Sequence, residues 1–225
     1  MENLDWGTCS DPYSMLESLR QSGRLTQRKW RLFAVACCRR VNHLIVDERS
    51  RRAVEVAEAY ADGKTTAEDL ADAYDKAFDA GAELAERCIR DPVAFEAAGL
   101  EPFRSAAWPA CSAAHEDESA DGTASQAASA LPDAAEEVAQ ADILRYMFPA
   151  PALLVNLNLK DCCLTTELRA YSESIYVNRA FGLLPRLADK LQSSGCHVPA
   201  MLAHCRCGGP HVPGCWVVDL LTGRS

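Results

Sequence analysis

Arg28-Lys-Trp-Arg-Leu-Phe-Ala-Val-Ala-Cys-Cys-Arg-Arg-Val-Asn-His-Leu-Ile-Val46 sets Trp30, Phe33, Ala34, Cys37, Val41, Leu44 and Ile45 three or four positions apart. Residues so spaced line one face of an α-helix, because 3.6 residues complete a turn. Arg31, Arg39 and Arg40 fall largely off that stripe. A helix with one apolar face must bury it against others of the same kind, so this stretch predicts a helical assembly and not an isolated rod.

The neighbouring segments supply such partners. Upstream, Leu4 to Pro12 is an irregular lead-in and Tyr13 to Gln21 a short helix closed by Gly23. Downstream, Asp47 caps a helix reaching Asp62, with Val54, Ala57 and Ala61 in one row beside Ala53, Val56 and Tyr60, and Gly63 stops it. Thr65 with Glu68 has the spacing of a capping box, opening a helix whose apolar face includes Leu70, Tyr74, Ala77, Phe78, Leu84 and Ile89, until Asp91 and Pro92. Residues 1–110 are thus expected to form an antiparallel helical bundle, and no strand pattern competes.

From Cys111 to Pro132 the chain turns to Ala, Ser, Asp and Glu with almost nothing large to bury, the composition of an acidic, Ala/Ser-rich linker over 111–132. Residues 133–225 read as a second helical region packing on the first. Its elements are Asp133 to Phe148, Thr166 to Asn178, Leu184 to Ser193, Pro199 to Cys205 and Pro213 to Leu221, with Ala152 to Lys160 left irregular. The fold class expected is all-α, an irregular multi-helix bundle with shorter helices in its C-terminal half. No fixed period of 20 to 50 residues recurs, which argues against a regular solenoid. Trp30, Phe33, Val41, Leu44, Phe78, Leu84, Leu144, Tyr171, Leu187 and Trp216 are the expected core anchors.

The chain has 225 residues, 48% of them hydrophobic, enough for a substantial core. No apolar run approaches the roughly 20 residues of a membrane span, and none follows a charged N-terminus as in a signal peptide. Eleven cysteines is an odd number, and Cys37–Cys38 and Cys162–Cys163 are sequence neighbours. Reduced thiols serving as small apolar residues fit better than a disulfide framework, which points to the cytoplasm.

The net charge of -9 conceals a segregation: residues 20 to 52 hold ten Lys or Arg against two acids, residues 53 to 142 five against 21. Facing helices that neutralise one another explain this most simply, each exposed pair contributing about 0 to 1 kcal/mol. Nucleic acid is not an expected partner, since the basic stretch lacks an interleaved aromatic platform.

One cluster carries chemistry. His204, Cys205, Cys207, His211 and Cys215 surround the tight segment Arg206-Cys-Gly-Gly-Pro-His-Val212, with Cys196 and His197 just upstream. Zinc takes four Cys or His ligands in a tetrahedron, and by spacing the set is His204, Cys207, His211 and Cys215, although it follows no standard finger. Against this stands ordinary packing: Cys205 and Cys215 in the core, the histidines bonding loop carbonyls. A third reading makes Cys215 or Cys205 a nucleophile with His211 or His204 as base and Asp219 as orienter. Phosphate-binding loops, dinucleotide fingerprints and metalloprotease helices are missing, so no other cofactor and no catalytic set are called for.

Trp6-Gly-Thr-Cys-Ser-Asp-Pro12, Arg31-Leu-Phe-Ala-Val-Ala-Cys-Cys-Arg-Arg40, Asp47-Glu-Arg-Ser-Arg-Arg-Ala-Val-Glu-Val-Ala-Glu58 and, near the end, Leu202-Ala-His-Cys-Arg206, Gly209-Pro-His-Val212 and Gly214-Cys-Trp-Val-Val-Asp-Leu-Leu221 resemble a family of helical proteins abundant in planctomycete bacteria. The resemblance covers both ends and weakens between them. It implies a bacterial, cytosolic origin and brings no activity, cofactor or partner with it. The family's ending has an arginine where this chain has Pro213. Taken together, the sequence favours a helical interaction or scaffold module, with a protein as the partner to be expected. The alternative is a small metal-stabilised domain or metal-dependent enzyme built on the His204 to Cys215 loop.

Overall fold

The computed structural model describes residues 4–115, 120–130, 135–150, 153 and 165–224. Twelve α-helices and one 3-10 turn account for their regular structure, and no strand occurs among the described residues. The protein is all-α. Its helices are α1 (Pro12–Gln21), α2 (Gln27–Arg40), α3 (Glu48–Ala61), α4 (Ala67–Arg90), α5 (Pro92–Ala97), α6 (Glu101–Ala114), α7 (Ala120–Ala130), α8 (Ala135–Met147), α9 (Thr166–Val177), α10 (Leu184–Ser193), α11 (Pro199–Arg206) and α12 (Trp216–Thr222). No helix of the described residues is long and apolar enough to cross a membrane.

The chain divides into two compact units, Asp11–Gln140 and the combination of Met1–Ser10 with Ala141–Ser225. In the first, α2 is the axis. Thr26 caps it by accepting from the Lys29 N–H, and every residue from Lys29 to Cys38 is buried, because α3, α6 and α7 all pack on it. Its burial on all sides exceeds the single stripe that periodicity predicts. The charged members need local solutions. Arg31 donates to the carbonyls of Ala113 (2.8 Å) and His115 (3.0 Å), satisfying acceptors at the end of α6, and its guanidinium lies over the Trp30 and Tyr60 rings.

The segregated charges meet inside this unit. Arg39 pairs with Glu58 at 2.5 Å, Arg28 with Asp62 at 3.3 Å, and Arg40 Nε reaches both oxygens of the buried Glu136 at 2.9 and 2.8 Å. Gln140 donates a further bond to Glu136 at 3.2 Å, so the buried carboxylate is held by two partners.

Several expectations are corrected. The capping box at the start of α4 lies one residue later than Thr65 and Glu68: Thr66 accepts from the Asp69 N–H, and the Asp69 carboxylate accepts from the Thr66 N–H. Thr65 and Thr66 hydroxyls both donate to that carboxylate, holding Asp69 down to about 2. Phe78 is not a core anchor. It is 44% exposed, with one edge against the Trp108 ring, at the rim of the α4–α6 contact. Leu44, Leu84 and Tyr171 are only half-buried.

The linker expected over 111–132 is corrected in its described residues. Residues 111–114 complete α6 and 120–130 form α7, with Ala110, Ala113, Ala124, Ala127 and Ala130 buried. Ser112 and Gln126 join the two helices at 2.7 Å. Alanine faces let helix backbones approach closely, so burial here uses small side chains where the sequence lacks large ones. Ala152 to Lys160 lies outside the described residues apart from residue 153.

The second unit is built on a separate core. Leu168, Ile175 and Tyr176 of α9, Leu184, Leu187 and Leu191 of α10, Met201 and Cys205 of α11, and Trp216, Val217 and Leu221 of α12 form one buried cluster. Within the same unit, Arg145 of α8 donates to the Trp6 carbonyl at 3.0 Å and to that of Cys9, anchoring the lead-in.

Candidate metal centre

His204 lies in the last turn of α11, Cys215 immediately precedes α12, and the loop between them brings the two helices back together. That loop is compact: the His211 N–H bonds Gly209 O at 2.8 Å, and the Cys215 N–H bonds Val212 O at 3.0 Å. Two of its glycines are required. Gly214 has φ 93°, left-handed backbone that side chains disfavour. At Gly209 a Cβ would fall on the hydroxyl end of Tyr146, 1.6 Å from its oxygen, so any side chain there would push Tyr146 away. The Gly214 turn also explains why the helix expected from Pro213 begins at Trp216.

Three of the four residues singled out by spacing converge. Ligand atoms of His204, His211 and Cys215 all lie within 4.8 Å of one another. His204 Nε2 is 3.1 Å from Cys215 Sγ, and His211 Nδ1 is 3.9 Å from the same sulfur. Cys207 stands apart from this trio. Its Sγ is 3.8 Å from the other nitrogen of His211, Nε2, and it donates to His204 O at 2.8 Å. The two ring nitrogens of an imidazole point away from each other, so an ion bound at Nδ1 has Cys207 behind the ring. The four-ligand set is therefore split into three and one.

Proton positions follow from partners that can only donate or only accept. His211 Nε2 lies 3.2 Å from Cys207 O; a carbonyl only accepts, so Nε2 carries the proton and Nδ1 presents its lone pair toward Cys215. Burial pushes the His211 pKa down, against the opposing pull of that carbonyl, which favours the neutral imidazole that metals need. For His204 the order is reversed. Trp216 Nε1–H donates to His204 Nδ1 at 3.0 Å, and an indole nitrogen only donates. A neutral His204 consequently holds its proton on Nε2 and donates it to Cys215 Sγ. The result is a directed relay, Trp216 to His204 to Cys215, with the Cys215 thiol facing His211 Nδ1 and His211 donating to Cys207 O.

Aromatic rings close the site. Tyr146 meets His211 edge-on at 4.8 Å between centroids and His204 at 5.3 Å, while Trp216 covers the other side of His204 at 5.1 Å. Burial, and secondly a hydrogen bond with Cys207, push the Tyr146 hydroxyl up to about 12, so it stays protonated. Sequence reasoning missed Tyr146 because it lies on α8, far away in the chain, with no spacing to connect it. Cys205 points into the core, and burial drives its thiol well above the ordinary range, as packing and not reactivity would have it.

The nucleophile reading meets an obstacle in the same geometry. A base oriented by Asp219 would need a carboxylate on the ring nitrogen remote from the thiol. That atom receives Trp216 in His204 and faces the Cys207 carbonyl in His211. Comparison with protein-family models, curated proteins and solved structures returns no match.

Proposed function

We propose that this is a zinc-binding helical protein whose metal is held by His204, His211 and Cys215. The observation that carries the proposal is the convergence of three ligand atoms within 4.8 Å, from a helix end, a glycine-bearing loop and a second helix start. Two imidazoles and one thiolate suit zinc, and a site with three protein ligands leaves a fourth position for water or an exogenous ligand. Binding would release the Cys215 thiol proton and couple the metal to the packing of α11 on α12. Elemental mass spectrometry on protein purified under reducing conditions without chelator tests this: about one zinc per chain is expected, and protein that neither carries zinc nor takes it up on titration removes the proposal.

Trp216 sets a condition on that binding. His204 Nε2 can ligate only after giving up its proton, and moving the proton to Nδ1 sets it against the indole N–H. Trp216→Phe removes the opposing donor. Zinc affinity in this variant is expected to rise by roughly threefold to tenfold, the equivalent of one ordinary hydrogen bond, as measured by competition with a chromogenic chelator. Affinity equal to or below that of the parent would show that His204 does not ligate through Nε2.

A helical interaction module is the second proposal. Its support is the pair Ile89 and Val93 at the α4–α5 corner, 79% and 78% exposed, since Arg39 and Arg40 are engaged by Glu58 and Glu136 within the molecule. Sedimentation over a range of concentrations tests self-association through this corner: a weight that Ile89→Asp lowers supports it, and identical monomeric behaviour of parent and variant counts against it.

A further inference from the structure

Within the Asp11–Gln140 unit a cavity of about 200 Å³ opens between the start of α3, the second half of α4 and α6. Ile45, Ala80, Leu84, Phe103 and Ala107 make its walls apolar, and Asp47, Ser50, Glu83 and Arg87 supply its polar groups.

Two of those four groups, Asp47 and Glu83, are satisfied by Arg49. Arg49 donates to both oxygens of Asp47, at 3.1 and 2.9 Å, and to both oxygens of Glu83, at 2.9 and 2.7 Å. Both carboxyls are held below their usual range chiefly by this guanidinium, so they stay ionised and paired at neutral pH. The other two have no partner among the described residues. The Ser50 hydroxyl, on a residue only 1% exposed, has no hydrogen-bond partner, and a buried hydroxyl without one is unfavourable. Arg87 is exposed and makes no ion pair or hydrogen bond through its side chain among the described residues.

What the cavity leaves unused is therefore a guanidinium, which only donates, and a hydroxyl, which can donate, beside apolar walls. We propose that it binds a small carboxylate with a compact apolar body, the carboxylate on Arg87 and Ser50 and the body against Leu84 and Phe103. An ammonium ligand would meet the positive charge of Arg87, while the Asp47 and Glu83 carboxylates are already engaged on both oxygens by Arg49. A planar carboxylate matches the fork of Arg87 in two parallel bonds. The volume lies below that of drug-sized pockets, which restricts the body to about the size of one ring.

Benzoate is the probe, with benzyl alcohol and benzylamine as neutral and cationic counterparts, added to the full-length protein and followed by amide NMR shifts. Benzoate is expected to bind in about the millimolar range, moving resonances of residues 45–50, 80–87 and 103–107. Arg87→Gln should weaken it at least about tenfold and Ser50→Ala by a smaller factor, with the spectra otherwise unchanged. The proposal is overturned if benzoate leaves those resonances in place, if Arg87→Gln binds it as the parent does, or if benzyl alcohol or benzylamine binds equally well.

Discussion

If the proposed site holds zinc, Cys215→Ser and His211→Ala are expected to lose it. Each removes one of three converging ligands, and two ligands do not retain the ion against a competing chelator. Replacing thiolate by hydroxyl takes away the softest, only anionic donor of the trio, and truncating His211 removes the one imidazole already presenting its lone pair toward the sulfur. Loss of even a residue that merely orients a ligand weakens metal binding about 10- to 100-fold, so loss of a ligand should exceed that. After dialysis against a weak chelator, metal content should fall from about one per chain to below about a tenth. Cys207→Ser distinguishes the geometry from the spacing. With its sulfur behind the His211 ring, this variant should keep its zinc, and loss of the metal on changing Cys207 would mean that the loop closes into the four-ligand set. If Cys215→Ser retains parental zinc, the trio is packing and not a metal site.

The second large effect is on stability. Phe33→Ala should lower the stability of the Asp11–Gln140 unit by about 3 to 5 kcal/mol, because its ring is wholly buried in α2, where α3, α6 and α7 surround it and cannot readily close the void. Phe78→Ala, the same change on another apolar stripe, should cost about 1 kcal/mol or less, given a ring that remains 44% exposed. Urea titrations followed by circular dichroism measure both. Equal losses in the two variants would mean that the burial of α2 is not what distinguishes these positions.

The difference between those two phenylalanines marks where sequence periodicity stops. It identifies which residues share a face, and it recovered α3 and α4, and α2 as far as Arg40; Leu44 and Ile45, read onto the α2 face, lie beyond the end of that helix. How many neighbours cover that face is a tertiary matter: α2 is enclosed on every side, whereas the Phe78 end of the α4 stripe reaches the rim. The capping box shows the same limit on a finer scale. Thr65 with Glu68 and Thr66 with Asp69 are equally spaced pairs, and only the path of the chain into α4 selects the second.

For α6 and α7 the signal was present but of low amplitude. Alanine contributes little to an apolar pattern yet packs well when two helices come close, so a stretch with a linker's composition holds, at Ala113, Ala124, Ala127 and Ala130, buried helix faces.

By itself the sequence determined the helical class, most helix positions in the described residues, the burial of Cys37, Cys38, Cys196, Cys205 and Cys215 as free thiols and the stretch in which histidine and cysteine could meet. Tertiary structure alone decided that His204, His211 and Cys215 converge while Cys207 does not, and that Tyr146 and Trp216 enclose them. The reason is physical. Spacing along a chain limits which side chains can reach one another, but the orientation of an imidazole, and hence which nitrogen offers its lone pair, depends on hydrogen-bond partners supplied by the folded backbone and by distant helices.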